Sequence, residues 1–287
     1  MGNRVKWKKV WAVARIEYAR WITNPRIIIV GVLLVFMKGL AVDPLIERAG
    51  KMDQPLNVFE PFVAVGNSQM LVMLLPCVFM ILLGDYPILS DGMLFAVHRA
   101  KKANWFLGQV VFLILAIFSF LGVVLGVSMA MSGGRWGSNW SDVVTKYQSI
   151  YPNEAGNFAS QLLPSNLYNQ IPLYRAVIQT FVLLMAYLLL LALILYVCKL
   201  LKLGALGMIS ACAVIGLGVV TCSMKQSAMW IFPMANTMVW LHYDEILREQ
   251  ICSVWFSFAY FFAGILLLLI GNFVVLRNVQ FMGMEID

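Results

Sequence analysis

Charge is what this sequence has little of. Only 12% of its 287 residues are Asp, Glu, Lys or Arg, about half the share of a soluble domain. Histidine is scarcer still, with His98 and His242 alone. No G-x-x-x-x-G-K-[ST] phosphate loop occurs, so the chain offers no such site for hydrolysing ATP itself. H-E-x-x-H and G-x-S-x-G are also missing, which leaves no motif for a zinc protease or a serine hydrolase. The five cysteines (Cys77, Cys198, Cys212, Cys222, Cys252) lie in or beside apolar runs, and none forms a CxxC pair. They indicate neither a metal site nor a disulfide framework. They read as small apolar side chains packed in helices. His242 has Asp244, Glu245 and Glu249 after it, but a metal site there needs further ligands, and a solvated acidic stretch is the plainer reading. Internal repeats and low-complexity segments are lacking. No small-residue cleavage site follows the first apolar run, so that run is expected to remain as a span.

What the sequence does have is apolar surface. Hydrophobic residues make up 61% of it, and mean hydropathy is +0.83. A water-soluble fold of this size cannot hide that surplus, so lipid must face much of it. The expectation is an all-α integral membrane protein. A bilayer core needs roughly 20 mostly apolar residues per helix, and six stretches qualify: about 25–42, 66–84, 105–131, 174–198, 203–222 and 253–276. The chain divides into an interfacial segment (1–24), a six-helix transmembrane domain (25–276) and a tail (277–287).

Lys and Arg in the connecting segments set the orientation. With the N-terminus inside, thirteen of the twenty-one fall on the inner side, seven on the outer side, and Lys38 lies within the first span. Nine of the fourteen acids fall outside. The bias predicts cytoplasmic termini and reads the +7 net charge as a topology signal. The basic residues flank membrane helices, which argues against nucleic acid as a partner.

Residues 5–22 read as a basic amphipathic helix. At 100° per residue, Trp7, Val10, Trp11, Ala14, Tyr18, Trp21 and Ile22 share one arc, while Lys8, Lys9, Arg15, Glu17 and Arg20 lie outside it. Trp7, Trp11 and Trp21 are the expected membrane-interface anchors. Asn24-Pro25 then breaks the helix, Asn24 as a cap and Pro25 as the first residue of the next. Lys38 is near the end of its span and can snorkel or meet Asp43. Residues 85–109 combine a turn at Ser90-Asp91-Gly92, an apolar patch (Met93, Leu94, Phe95, Val97) and a basic run (Arg99, Lys101, Lys102). Such a segment suits either a short helix docked in a partner's groove or a solvated loop. Residues 228–242 are apolar but interrupted by Pro233 and Asn236. They read as a re-entrant or interfacial hairpin on the outer side. The fifth span is rich in Gly, Ala and Ser, which favours close helix packing.

Two stretches, in this order of elements, resemble a known family. ARIEYARWITNPRIIIV (14–30) is similar to an elbow helix leading into an Asn-Pro-Arg start. SDGMLFAVHRAKKANWFLGQ (90–109) is similar to the loop before the third span, with Asp91, Gly92, Leu94, Arg99, Lys102 and Gly108 on the pattern. Asp91 abuts Gly92, Ala100 stands where Pro is common, and Gln109 replaces a Lys. The family is the membrane (permease) subunit of type-2 ATP-binding-cassette (ABC) exporters. The resemblance implies that the loop corresponding to 85–104 couples to the motor, with Asp91, Gly92, Leu94, Phe95, His98 and Arg99 transmitting force. It implies a second permease chain, the same or homologous, and two copies of a separate ABC ATPase subunit. ATP and Mg would bind the ATPase and none of the cofactors this chain. It also implies a prokaryotic plasma membrane and transport without enzymatic activity on this chain. The cargo would be hydrophobic or amphipathic: an antimicrobial peptide such as a bacteriocin, a lipid-like molecule or a drug. A secondary transporter or channel is one competing reading. An intramembrane enzyme or assembly factor is another, although no polar catalytic cluster can be assembled within the spans.

Overall fold

The structure, a computed structural model, describes residues 5–87, 99–154, 157–244 and 249–278. It is helical throughout, with two isolated bridges and no strand among the described residues. The order is α1 (Trp7–Ile22), a 3-10 turn (Pro25–Ile27), α2 (Ile28–Met37), a π turn (Lys38–Val42), α3 (Asp43–Met52), α4 (Glu60–Asn67), α5 (Gln69–Leu82) and α6 (Lys102–Ser132). There follow α7 (Asp142–Ile150), α8 (Phe158–Leu162), α9 (Ser165–Tyr168), α10 (Leu173–Leu200), α11 (Gly204–Ser223), α12 (Pro233–Thr237) between 3-10 turns Ser227–Ile231 and Val239–His242, and α13 (Val254–Asn278).

Among the described residues, five helices are long and apolar enough to cross a membrane: Pro25–Met52, Lys102–Ser132, Leu173–Leu200, Gly204–Ser223 and Val254–Arg277. Counting the bent pair α4–α5 as one span makes six. This is the architecture of an all-α, multi-pass membrane protein. The centre of the bundle is α10, which touches α4, α5, α6, α11, α12 and α13. Its buried side chains include Leu183, Leu184, Tyr187, Leu188 and Leu191. By contrast α13 leaves Trp255, Phe262 and Leu267 exposed, as a lipid-facing helix would.

Two elements run differently from the sequence expectation. The first span, read as 25–42, continues as helix to Met52 through the π turn. Asp43-Pro44 follows the π turn directly, and a local π irregularity accommodates a residue with no N–H inside a continuous helix. Lys38 Nζ meets Asp43 Oδ1 at 2.8 Å across that turn. At 28 residues the segment is about 42 Å long, more than a ~30 Å hydrocarbon core, so an end extends past it. The second span, read as 66–84, is preceded by a separate helix. α4 meets α5 at a bend of 82°, with Ser68 in extended geometry at φ −78° and ψ 120°. Every residue of α4 is buried.

Buried polar groups tie the segments at this end. Glu60 is fully buried, and its carboxyl accepts hydrogen bonds from Asn57 N (3.0 Å), Ser141 N (2.6 Å) and Ser141 Oγ (2.8 Å). It thereby joins the start of α4 to the start of α7. Lys51 on α3 reaches Glu154 at 2.9 Å, and Arg48 lies over the Tyr147 ring, 4.5 Å from its centre.

Gly66 allows α4 to lie against α10. A Cβ built there falls 2.1 Å from Thr180 Cγ2. Gly66→Ala therefore costs about 1–3 kcal/mol by overpacking, read as a lowered melting temperature of the detergent-purified protein. Thr180→Ser removes that methyl while keeping the hydroxyl that Asn67 Nδ2 contacts at 3.1 Å. The double variant recovers most of the loss. If Thr180→Ser gives no recovery, the close approach is misplaced.

Candidate functional site

Opposite ends of the bundle carry two different constructions. At one end α1 lies along α6 in the most extensive helix pairing of the fold. Gly108 lets it approach, since a Cβ there would sit 2.7 Å from Val13 Cβ and 2.9 Å from Val10 O. The stripe of α1 that packs is Val10, Val13, Ala14, Glu17 and Trp21. At 100° per residue this is rotated by about 60° from the arc centred on Trp7. Trp7 and Trp11 are exposed, whereas Trp21 is buried beside Tyr18 and Phe112. Glu17, on the polar side of the sequence wheel, is buried, and Gln109 Nε2 donates to its Oε1 at 3.3 Å. Burial pushes the Glu17 carboxyl above the usual range, against the smaller opposing effects of Gln109 and Arg20.

This end also grips both sides of the segment between α5 and α6. Arg26, at the turn before α2, pairs with Asp85 at 2.8 Å. Asn24 Oδ1 accepts from Arg26 N at 3.0 Å and holds that turn. On the other side Lys9 Nζ donates to the Arg99 carbonyl, and Lys6 N donates to Asn104 Oδ1 at 3.0 Å. Asn104 Nδ2 in turn bonds Ala100 O at 2.8 Å. Of the residues implicated in coupling, Arg99 is exposed, while Asp91, Gly92, Leu94, Phe95 and His98 lie outside the described residues. The structure brings Arg99 to Lys9 of α1, a contact the sequence did not point to.

At the other end two interrupted segments meet. The Ser68 break leaves backbone groups that need partners inside an apolar body. Asn67 supplies them: its Oδ1 accepts from Val239 N (2.8 Å), its backbone O accepts from Trp240 Nε1 (2.9 Å), and its Nδ2 donates to Val63 O (2.9 Å). The segment 228–242, expected as a hairpin, is buried in large part: Met229, Pro233 through Thr237, Val239, Leu241 and His242 are in the core, while Ile231 is exposed. Gly218 of α11 permits this, as a Cβ there would lie 2.9 Å from Met234 Cβ. Asn236 Nδ2 donates to Trp230 O (2.8 Å) and Phe232 O (3.0 Å), so its Oδ1 faces the Ser257 hydroxyl at 2.8 Å. His242 Nε2 is 2.8 Å from the same hydroxyl, and its Nδ1 is 3.1 Å from Met238 O. His242 is thus held at both ring nitrogens by the fold.

Beside this junction is a cavity of about 770 Å³, within the ~300–1,000 Å³ typical of small-molecule sites. Its walls come from the start of α5 (Gln69, Met70, Met73), the end of α11 (Val219, Cys222, Ser223), the α7–α9 region (Gln148, Gln161, Ser165) and the buried segment (Met238, Trp240). Lys225 is the charged residue in the lining. Sequence reasoning named no substrate-binding residue. The signal it had was the polar run Asn67-Ser68-Gln69 inside an apolar stretch.

Comparison of the chain with protein-family models, curated proteins and solved structures finds no match.

Glu17 gives a pH test of the α1–α6 contact. A carboxyl raised by folding binds its proton more tightly in the folded state, so stability falls as pH rises from the ordinary carboxylate range through the raised value. Glu17→Gln removes that penalty. It should raise the melting temperature at pH 7, with a gain that shrinks to nothing at acid pH where Glu17 is protonated in both states. A constant difference across pH contradicts the burial of this group.

Proposed function

We propose that this chain is the membrane-embedded permease subunit of an ATP-driven exporter, with its motor on a separate ABC ATPase chain. The observation that carries this reading is the double grip on the segment between α5 and α6. Arg26–Asp85 ties its beginning to the start of the first span, and Lys9 and Lys6 tie its end to α1. A push on that segment passes into the first span, α1 and α6 together. The resemblance of residues 14–30 and 90–109 to type-2 exporters supports the same assignment.

In this reading α1 is an interfacial elbow with Trp7 and Trp11 toward the lipid headgroups. Six spans cross a prokaryotic plasma membrane, with α4–α5 as one of them and both termini in the cytoplasm, as the Lys and Arg bias favours. Two permease chains pair around a path, and two ATPase subunits bind ATP and Mg. ATP binding favours the closed ATPase pair, and that differential affinity drives the change of access. The cargo is hydrophobic or amphipathic.

The junction of broken helices beside a cavity favours a second reading, a gradient-driven transporter, since such carriers place substrate where helices are interrupted. ATP dependence separates the two.

The ion pair Arg26–Asp85 is largely exposed and worth little stability, so its charges can be altered without unfolding the chain. In proteoliposomes with the partner ATPase, Asp85→Arg should lower cargo moved per ATP hydrolysed, and adding Arg26→Asp should restore it. Phe95→Glu or Arg99→Glu should uncouple hydrolysis from transport. If no nucleotide-hydrolysing partner co-purifies and flux follows an ion gradient alone, the second reading replaces the first.

A further inference from the structure

We infer that the cavity beside Asn67 is a binding site for an anionic lipid-like amphipath, a molecule with an acidic head group and an apolar tail. The inference does not rest on the ATP-driven reading, since a lipid site is compatible with any transport mechanism.

Most buried polar groups at this end have partners within the protein. Asn57, Glu60, Asn67, Asn166, Asn236, His242 and Ser257 all bond to other parts of the chain. The side chains of Ser68, Gln148, Gln161, Ser165 and Lys225 face the cavity instead. None of these five has a side-chain hydrogen-bond partner among the described residues. Five polar side chains without protein partners thus line one concavity.

Their chemistry selects the head group. Two hydroxyls, two amides and an ammonium supply several donors, and no carboxylate is among the described residues of the lining. Lys225 forms no ion pair with any described acid. That set suits a head group with several acceptor oxygens and a negative charge, such as a phosphate diester.

The apolar part of the lining selects the tail. Met70, Met73 and Val219 line the cavity between α5 and α11. Methionine adapts its shape to irregular apolar partners. Met70 on α5 is exposed, as are Leu217 and Val220 on α11, apolar surface suited to acyl chains. The two helices are bridged here by Gln69, whose Nε2 donates to Val219 O at 3.1 Å and Ser223 Oγ at 2.6 Å. A tail can lie along Met70, Met73 and Val219 while its head sits among Lys225, Gln148 and Gln161.

The test uses the full chain purified in detergent and a fluorescent lyso-phosphatidylglycerol as probe. Competitors are unlabelled lyso-phosphatidylglycerol, lyso-phosphatidylcholine of the same chain length, inorganic phosphate, and an apolar peptide with a free C-terminal carboxylate. Lyso-phosphatidylglycerol should compete about tenfold better than lyso-phosphatidylcholine, the worth of one charge-assisted hydrogen bond. Lys225→Gln, at an exposed position that should fold normally, should remove that preference. Met73→Trp, which fills the apolar wall, should weaken binding of both lipids. Equal competition by the two lipids, or a preference that survives Lys225→Gln, overturns the inference. Competition by inorganic phosphate as strong as by the lipid would show a free-anion site and also overturn it. So would displacement by the peptide at concentrations where the lyso-lipids are without effect.

Discussion

A helix that stops inside an apolar body leaves backbone donors and acceptors with no water to meet them, and the cost of leaving them unpaired is several kcal/mol each in hydrocarbon. Asn67 answers that constraint in this protein. From the last turn of α4 it bonds back to Val63, across to Thr180 of α10, and over to Val239 and Trp240 of the interrupted segment. The 82° bend at Ser68 and the burial of residues 233–239 both depend on partners of this kind. The cavity exists because two segments end beside each other instead of passing through.

The far end of the molecule is built on a different principle. There, close helix approach is set by the absence of a side chain at Gly108, and the α5–α6 segment is fixed at both sides by single polar contacts. The cavity end, by contrast, has many bonds within the protein and a set of side chains left facing space. α10 packs against elements of both ends, which joins them in one body.

Much of this was legible in the sequence because it follows from period and length. The long apolar runs 105–131, 174–198, 203–222 and 253–276 reappear as α6, α10, α11 and α13 with ends shifted by a few residues. Asn24 caps and Pro25 opens a helical turn, as their chemistry predicts. What was not legible came from tertiary partners. Glu60-Pro61 is a helix start that hydropathy does not register, so α4 was missed and Asn67 read as the head of a span. Glu17 sits in the packed stripe of α1 because Gly108 and Gln109 wait on α6, and no single-helix wheel contains that information. The cavity residues come from five separated stretches, each with at most three polar residues. Only folding gathers them.

The most direct test is where the two ends lie relative to the bilayer. In a variant with the five cysteines replaced, Arg99→Cys and Gln161→Cys are introduced singly, and intact cells are treated with a membrane-impermeant maleimide. The account predicts that Gln161→Cys reacts in intact cells and that Arg99→Cys reacts only after the membrane is opened. Reaction of both from the same side, or of Arg99→Cys alone from outside, would contradict a lever and a cavity on opposite faces of one membrane.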